Sequence, residues 1–533
     1  MSSVSERPWY RWYVLAVLVI VYTFSYVDRQ IVTVLAPYLK ADLNITDTQL
    51  GLLYGTTFAL FYGLFGIPLA RLADGWSRVR TLSLGLSFWS LMTALSGAAH
   101  NFAQLGIARV GVGVGEASST PAAVSLLGDY FDKSRRATVL GLYSVGVYVG
   151  AGVSLMIGGG VVAFWESHFG GPQNAPLGLS GWQAAFMAVG IPGLLLALLI
   201  LLTIREPARG RLEIGRHVDD PAPFRSALRV LCAMIPPWNI LQMLRDRQPF
   251  REIRRNLLWL ILAVVACIAL TSLTDSVLSP TRRAVLGRVA GHEVTSNLVQ
   301  WIAMMLALYA CASWFQSVRL QDAVASRLLT GSRTFRALTL AAAFLAFSMN
   351  ATTGFVFVYA NRYLGFTAAD GLHLGVIAAV SGGCGITLSG YVSDYARRFR
   401  PDGRLMFVCI TASIYTLASI VQYLTTDVTL FYIAFGVATF FVPMWFAPNQ
   451  ATTQDLVIPR LRGTAFAMYS LGANILGLGL GPYTVGLLSD ATGDLRFAIL
   501  CALATLPFTI AILFYAARHL VASEEAAQEA AHA

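Results

Sequence analysis

Asp28 and Arg29 sit side by side about two-thirds of the way along Tyr10 to Leu39, a run otherwise long and apolar enough to cross a bilayer. One charged group at the centre of a spanning helix costs at least about 2.5 kcal/mol, so an adjacent pair implies a task. Arg109 and Glu116 form a second pair. Their separation of seven residues puts both on one helical face, about 10 Å apart along the axis. Gly111, Gly113 and Gly115 fall between them and admit a neighbouring helix or a bound molecule close to the backbone. Moving an arginine away from a carboxylate in an apolar cavity changes the proton affinity of that carboxylate by whole units. Asp28 and Glu116 can therefore each exchange a proton for Arg29 or Arg109, and an anionic head group competing for either arginine would drive the exchange. The alternative for the same residues is a static ion pair that fixes helix packing.

Elements able to hold such residues inside a membrane follow from composition. The chain has 533 residues, 56% apolar and 12% charged, with a positive mean hydropathy, which excludes a soluble domain with a water-facing surface. A helix needs about 20 apolar residues to cross hydrocarbon. Such runs occur near 10–39, 49–70, 81–99, 103–128, 138–164 and 183–204, and again near 336–364, 371–393, 404–424, 428–452, 463–488 and 495–517. Two shorter runs, 256–273 and 299–316, lie between the sets. Strand alternation is absent and the runs are too long for barrel strands, so the expected class is an all-α membrane protein. The first run is too long, and too charged at Asp28 and Arg29, for a cleavable signal peptide.

Arginine placement sets the expected orientation, because Lys and Arg of short loops stay on the cytoplasmic side. Arg78 and Arg80 follow the second span, Lys133, Arg135 and Arg136 the fourth, and Arg205, Arg209 and Arg211 the sixth. Arg397, Arg398, Arg400 and Arg404, then Arg460 and Arg462, then Arg518 follow the equivalent spans of the second set. Alternate loops such as Ala98 to Asn101, Ser167 to Gly181, Thr425 to Val428 and Asp490 to Asp494 carry neither residue. Both termini are expected in the cytoplasm, with the protein in the plasma (inner) membrane. The formal charge of +10 is then topology and contact with anionic lipid, and no nucleic-acid partner is expected.

The two sets look like copies. Ala70 to Arg80 contains Asp74 and Arg78, and Gly390 to Arg400 contains Asp394 and Arg398. In each copy a small residue stands four before the Asp and an Arg four after it, at a cytoplasmic helix end. This pattern suits a latch between two bundles, against the plainer reading of a basic loop with an incidental Asp. Here the chain resembles the major facilitator superfamily, whose loop motif reads G-x-x-x-D-x-x-G-R-[KR]. The first copy departs from it at Ala70, Ser77 and Val79, the second at Arg397 and Phe399. Arg109 to Gly113 matches the R-x-x-x-G pattern of the fourth span. The resemblance implies two pseudo-symmetric six-helix bundles rocking around a central cavity lined by spans 1, 4, 7 and 10. Tyr26 to Arg29, Gly115 to Ala117, Arg462 to Phe466 and Gly486 to Asp490 further resemble the Spinster-like group, linked to export of lysolipids and sphingosine phosphate. Under that likeness the chain is a monomeric, proton-coupled transporter of small amphipathic, anionic, lipid-like substrates. Polar organic anions or drugs are the alternative cargo, and a membrane receptor or lipid-modifying enzyme the alternative of another class.

The expected divisions are 1–204 for the first bundle, 205–335 for a basic linker with two extra apolar helices, 336–518 for the second bundle and 519–533 for a cytoplasmic tail. Asn350, Asn449, Gln450 and Asn474 are candidate polar groups of the cavity, although amides also bridge helices. Tyr54, Tyr62, Tyr143 and Tyr148 read as packing. Pro448 and the stretch Gly477 to Pro482 are expected bending points. The six cysteines are dispersed and read as packing, and His100, His168, His217, His292, His373, His519 and His532 fall mostly in loops or termini, against a histidine relay. No metal cluster, phosphate-cradling loop or nucleophile–base pair stands out, so neither a cofactor nor catalysis is expected. The basic stretch Arg205 to Arg255 suits interfacial helices on an anionic leaflet. Crossing by both short runs would carry Arg282, Arg283 and Arg288 outward, against the charge rule; an interfacial hairpin is the other arrangement.

Overall fold

The computed structural model describes residues 8–208, 221–279, 282–289, 291–321, 323–458 and 461–532. Arg209, Arg211, His217 and Arg460 of the sequence reading lie outside them, as do the side chains of Lys133, Arg136 and His532.

Helices build the whole span set, as the apolar runs require. The first set is α1 (Pro8–Leu43), α2 (Asp47–Gly75), α3 (Arg78–Ser96), α4 (Phe102–Glu116) with α5 (Ser119–Tyr130), α6 (Lys133–Phe169) and α7 (Gly181–Thr203). Short helices α8 (Pro223–Cys232) and α9 (Trp238–Arg245) precede α10 (Phe250–Val277) and α11 (Ser296–Gln321). The second set is α12 (Arg333–Leu364), α13 (Asp370–Arg397), α14 (Gly403–Leu424), α15 (Val428–Asp455), α16 (Arg462–Gly472 and Gly479–Thr492, joined by a π-helical turn) and α17 (Leu495–Arg518), before a tail helix α18 (Leu520–His532). Among the described residues, 12 helices are long and apolar enough to cross a membrane, including α10 and α11. The fourth expected span, 103–128, is instead broken at Ala117 and Ser118, leaving α4 only 15 residues long.

Local chemistry fixes where these helices start and stop. Asn101 accepts from the Gln104 amide at 2.9 Å to open α4, and Thr46 and Gln49 cap each other's backbone to open α2. Gly365 and Gly493 close α12 and α16 in the left-handed region, at φ 70° and 79°, where a side chain would strain the turn. One departure from an all-helical chain appears between α10 and α11, where β1 (Val285–Val289) and β2 (His292–Thr295) pair antiparallel. This hairpin also accommodates the arginines that the charge rule disfavours there. Arg288 meets Glu293 at 3.0 Å, Arg283 donates to the Asp275 carbonyl at 2.8 Å, and Arg282 donates to the Asp490 carbonyl.

Two compact units result. The first takes its described residues from Met1–Tyr38, Leu64–Leu231 and Thr367–Val380, the second from Leu39–Gly63, Cys232–Phe366 and Ser381–Ala533. The first unit is cored by Val14, Leu18, Trp89, Leu126 and Phe131, and the second by Leu338, Ala341, Leu405, Val408 and Tyr469. Many apolar residues on the outer helices stay exposed, Ile107, Leu195, Leu202 and Ile268 among them, which is the surface hydrocarbon would cover. The six cysteines are free; Cys409 is buried and Cys384 exposed.

Candidate functional site: buried charges of α1, α3 and α4

Asp28 lies mid-way along α1, and Arg109 and Glu116 lie on α4, inside the first unit. Asp28 and Arg109 are 1% exposed and Glu116 0%. Such burial is tolerated only where each charge finds partners. Glu116 finds two through Oε2, accepting from Ser25 Oγ at 2.9 Å and Arg29 Nη2 at 3.1 Å. The Arg29 guanidinium also lies 4.6 Å over the Tyr26 ring, a cation–π contact on the same helix. Arg109 Nη2 donates to the Asp28 backbone carbonyl at 2.8 Å, not to its carboxylate.

Both carboxylate oxygens of Asp28 are buried without a hydrogen bond, as are Arg109 Nε and Nη1, Glu116 Oε1, Trp89 Nε1 and Thr93 Oγ1. Thr93 and Trp89 of α3 border Asp28, while Arg109 and Glu116 act on it through space. Glycine makes this crowding possible. A Cβ at Gly115 would stand 2.7 Å from Trp89 Cβ, so α4 meets α3 backbone to backbone beside the charges. Sequence reading identified the four charges; it missed Ser25, three residues before Asp28 on the same face, and Trp89 and Thr93.

The loop residues are placed less uniformly. Arg78, in the first turn of α3, is buried and donates through Nε to Glu206 at 2.7 Å, through Nη2 to the Pro207 carbonyl at 2.9 Å, and to Asp129. In the second unit the comparable network belongs to Arg404, in the first turn of α14, which contacts Asp394 at 2.6 Å and Asp455 at 2.7 Å. Arg397 joins it through Asp455 at 2.6 Å and Glu524 at 2.9 Å. Arg398, the residue that spacing matches to Arg78, is exposed, and the described ion pairs do not include it; Asp74 is exposed as well. The signal that could have found Asp129 and Asp455 was present, since each ends the fourth span of its set.

Of the amides, Asn350 donates to Ala346 O on its own helix at 2.7 Å, and Gln450 and Asn474 are half-buried. Asn449 is fully buried beside the Tyr469 hydroxyl. A cluster not foreseen joins α2 to α12 and α16 within the second unit. Asp47 pairs with Lys40 and with Arg362 at 3.0 Å and accepts from Ser489 Oγ at 2.6 Å. The Asp490 carboxylate accepts from the Thr48 amide at 2.7 Å, capping the positive end of α2.

A multi-pass helical protein with two span sets and charges sequestered inside a bundle is a membrane transporter by architecture. The chain belongs to the major facilitator superfamily, whose family model matches residues 18–322 and 313–482. Among curated proteins it is 27% identical over 485 residues to an MFS-type efflux pump of Mycolicibacterium smegmatis, covering 91% of this chain and 85% of that one. It is 30% identical over 174 residues to a probable L-galactonate transporter of Escherichia coli, and 31% identical over 216 residues to protein spinster homolog 1 of Xenopus laevis. Those two alignments span 35% and 38% of the relatives' own lengths. A solved bacterial homolog of the human lysosomal transporter Spinster, inward-facing and unoccupied, shares the fold with a TM-score of 0.68 at 24% identity, covering 97% of this chain and 99% of that one.

Proposed function

We propose that this transporter moves amphipathic, anionic, lipid-like molecules by alternating access, as a monomer coupled to protons through Asp28 and Glu116. The observation that carries the reading is the Asp28 carboxylate, buried beside Arg109 and Glu116 with no arginine bonded to it. Glu116 meanwhile holds Arg29. Only Arg29 of the four keeps some exposure, 12% of its side chain, so an arriving anion reaches it first. Drawing Arg29 away would leave Glu116 to bind a proton, and returning it would expel that proton. The likeness to Spinster-type proteins supports lipid-like cargo. The likeness to a probable L-galactonate transporter supports a second reading, a carrier of polar organic anions in which the same arginine takes a carboxylate.

In this reading the divisions 1–204, 205–335, 336–518 and 519–533 are the working parts, Asp74, Arg78, Asp394 and Arg398 belong to a cytoplasmic latch, and both termini lie in the cytoplasm. The test is flux of a fluorescent lysolipid, and separately of a radiolabelled sugar acid, in proteoliposomes with and without a pH gradient. Gradient-driven lysolipid flux that Asp28→Asn abolishes is the expected result. Sugar-acid flux with the same dependence would establish the second reading, and equal gradient-driven flux in both proteins would remove Asp28 from the coupling.

A further inference from the structure

Helix α9 sits where the chain enters α10, and its fixing is unusually thorough. Asn239 of α9, Asn256 of α10, and Tyr309, Ser313 and Gln316 of α11 are all nearly or fully buried. Asn239 Nδ2 donates to the Tyr309 hydroxyl at 2.7 Å and Ser313 Oγ at 2.9 Å, and Asn256 Nδ2 donates to Gln316 Oε1 at 2.8 Å. Gln316 and Arg319 then hold Glu252 at 2.9 and 2.8 Å. Asn239 Oδ1 is left without a partner, yet the other bonds of this buried network tie α9 to the α10–α11 hairpin as a foot.

One side of α9 faces away from that network. Trp238, Leu241 and Leu244 recur every third residue, on the side opposite Asn239, and are 58%, 51% and 55% exposed. Phe250 at the start of α10 is 77% exposed. The same stretch of chain carries Arg245, Arg247, Arg251 and Arg254, all exposed, against one exposed acid, Asp246. Glu252 is already matched by Arg255 and Arg319. The apolar window of α10 is only 11% buried, an outward face of the kind that hydrocarbon covers, and α9 lies just before its first turn.

We infer that the α9 foot and the first turn of α10 form a docking surface for anionic phospholipid, with Trp238, Leu241, Leu244 and Phe250 entering the acyl boundary and Arg245, Arg247, Arg251 and Arg254 holding phosphates. Charge complementarity selects this occupant. An exposed aromatic and aliphatic face ringed by arginines matches the interface of an acidic leaflet, where each basic residue adds attraction. The surface rests on α9 and the α10–α11 hairpin and not on the transport reading, so a failed flux assay leaves it standing.

The test is native mass spectrometry of the full-length protein extracted from vesicles of equal phosphatidylglycerol and phosphatidylcholine, counting the lipids retained. The native protein is expected to retain phosphatidylglycerol over phosphatidylcholine. R245Q/R247Q/R251Q/R254Q should reduce that preference by at least about tenfold, while the four Arg→Lys changes preserve most of it. These side chains are exposed, so both variants should keep the native thermal midpoint. An unchanged preference in the glutamine variant, or none in the native protein, would overturn the inference. So would arginine-dependent retention of a soluble oligonucleotide in place of lipid.

Discussion

Asp28 and Glu116 are both ionisable, both buried and neighbours in space, yet Glu116 accepts from Ser25 and Arg29 while the Asp28 carboxylate has only Thr93 and Trp89 beside it and no bonded arginine. A buried polar group left unbonded costs roughly 1–3 kcal/mol, and more when charged. If Asp28 served packing alone, its amide analogue would be neutral or harmful. If it is kept for exchange with a proton, removing its charge relieves the cost. Asp28→Asn is therefore expected to raise the thermal midpoint in detergent by a few degrees while gradient-driven flux is lost, a trade seen where activity needs a strained site. A lower midpoint would return Asp28 to a packing role. The four charges were legible in the sequence because an ionisable residue in an apolar run stands out. Their neighbours were not, since a serine, threonine or tryptophan inside a spanning helix is ordinary until the fold brings it beside a carboxylate.

Helix α4 reaches α3 through residues that have no side chain, and this governs how tightly the charges are enclosed. A Cβ at Gly115 would lie 2.7 Å from Trp89 Cβ and 2.8 Å from its amide nitrogen, and backbone cannot yield as a flexible side chain would. Gly115→Ala is expected to cost about 1–3 kcal/mol through overpacking. Gly141→Ala, where nothing lies within 4 Å of the added atom, should leave stability unchanged or slightly better, because it removes a helix-interior glycine. Thermal melts of the two variants check the contrast, and equal losses would refute it. Bends were only partly legible. The stretch Gly477 to Pro482 does border a π-helical turn, Ala473–Leu478, but the break in α15 falls at Val442–Trp445 with Pro443, not at Pro448. The π-helical turn Leu52–Thr56 of α2 carries no proline to announce it. The β1–β2 hairpin escaped notice because its strands are only 5 and 4 residues long.

Duplication is the property of the whole chain that organises the rest. Each unit repeats one internal pattern at its arginine-rich end: Arg78 of α3 with Asp129 and Glu206, and Arg404 of α14 with Asp455, which Arg397 ties to Glu524. Spacing in the sequence matched the copies through Arg398, since a short motif aligns by count, whereas the structure aligns them by which arginine opens the third span. Because these basic ends recur at every second loop, charge retention predicts one orientation for all of them. The α10–α11 hairpin is the exception that tests it, since crossing places Arg282, Arg283 and Arg288 on the opposite side. Partners for each of the three, namely Asp490 O, Asp275 O and Glu293, reduce the penalty, and an even number of added crossings leaves the second set's orientation unaltered. In a cysteine-free background, N174C and R288C are expected to react with an impermeant maleimide on intact cells, and R80C and R398C only after permeabilisation. Labelling of R288C that also requires permeabilisation would make the hairpin interfacial, and reversed labelling of the other three would invert the topology.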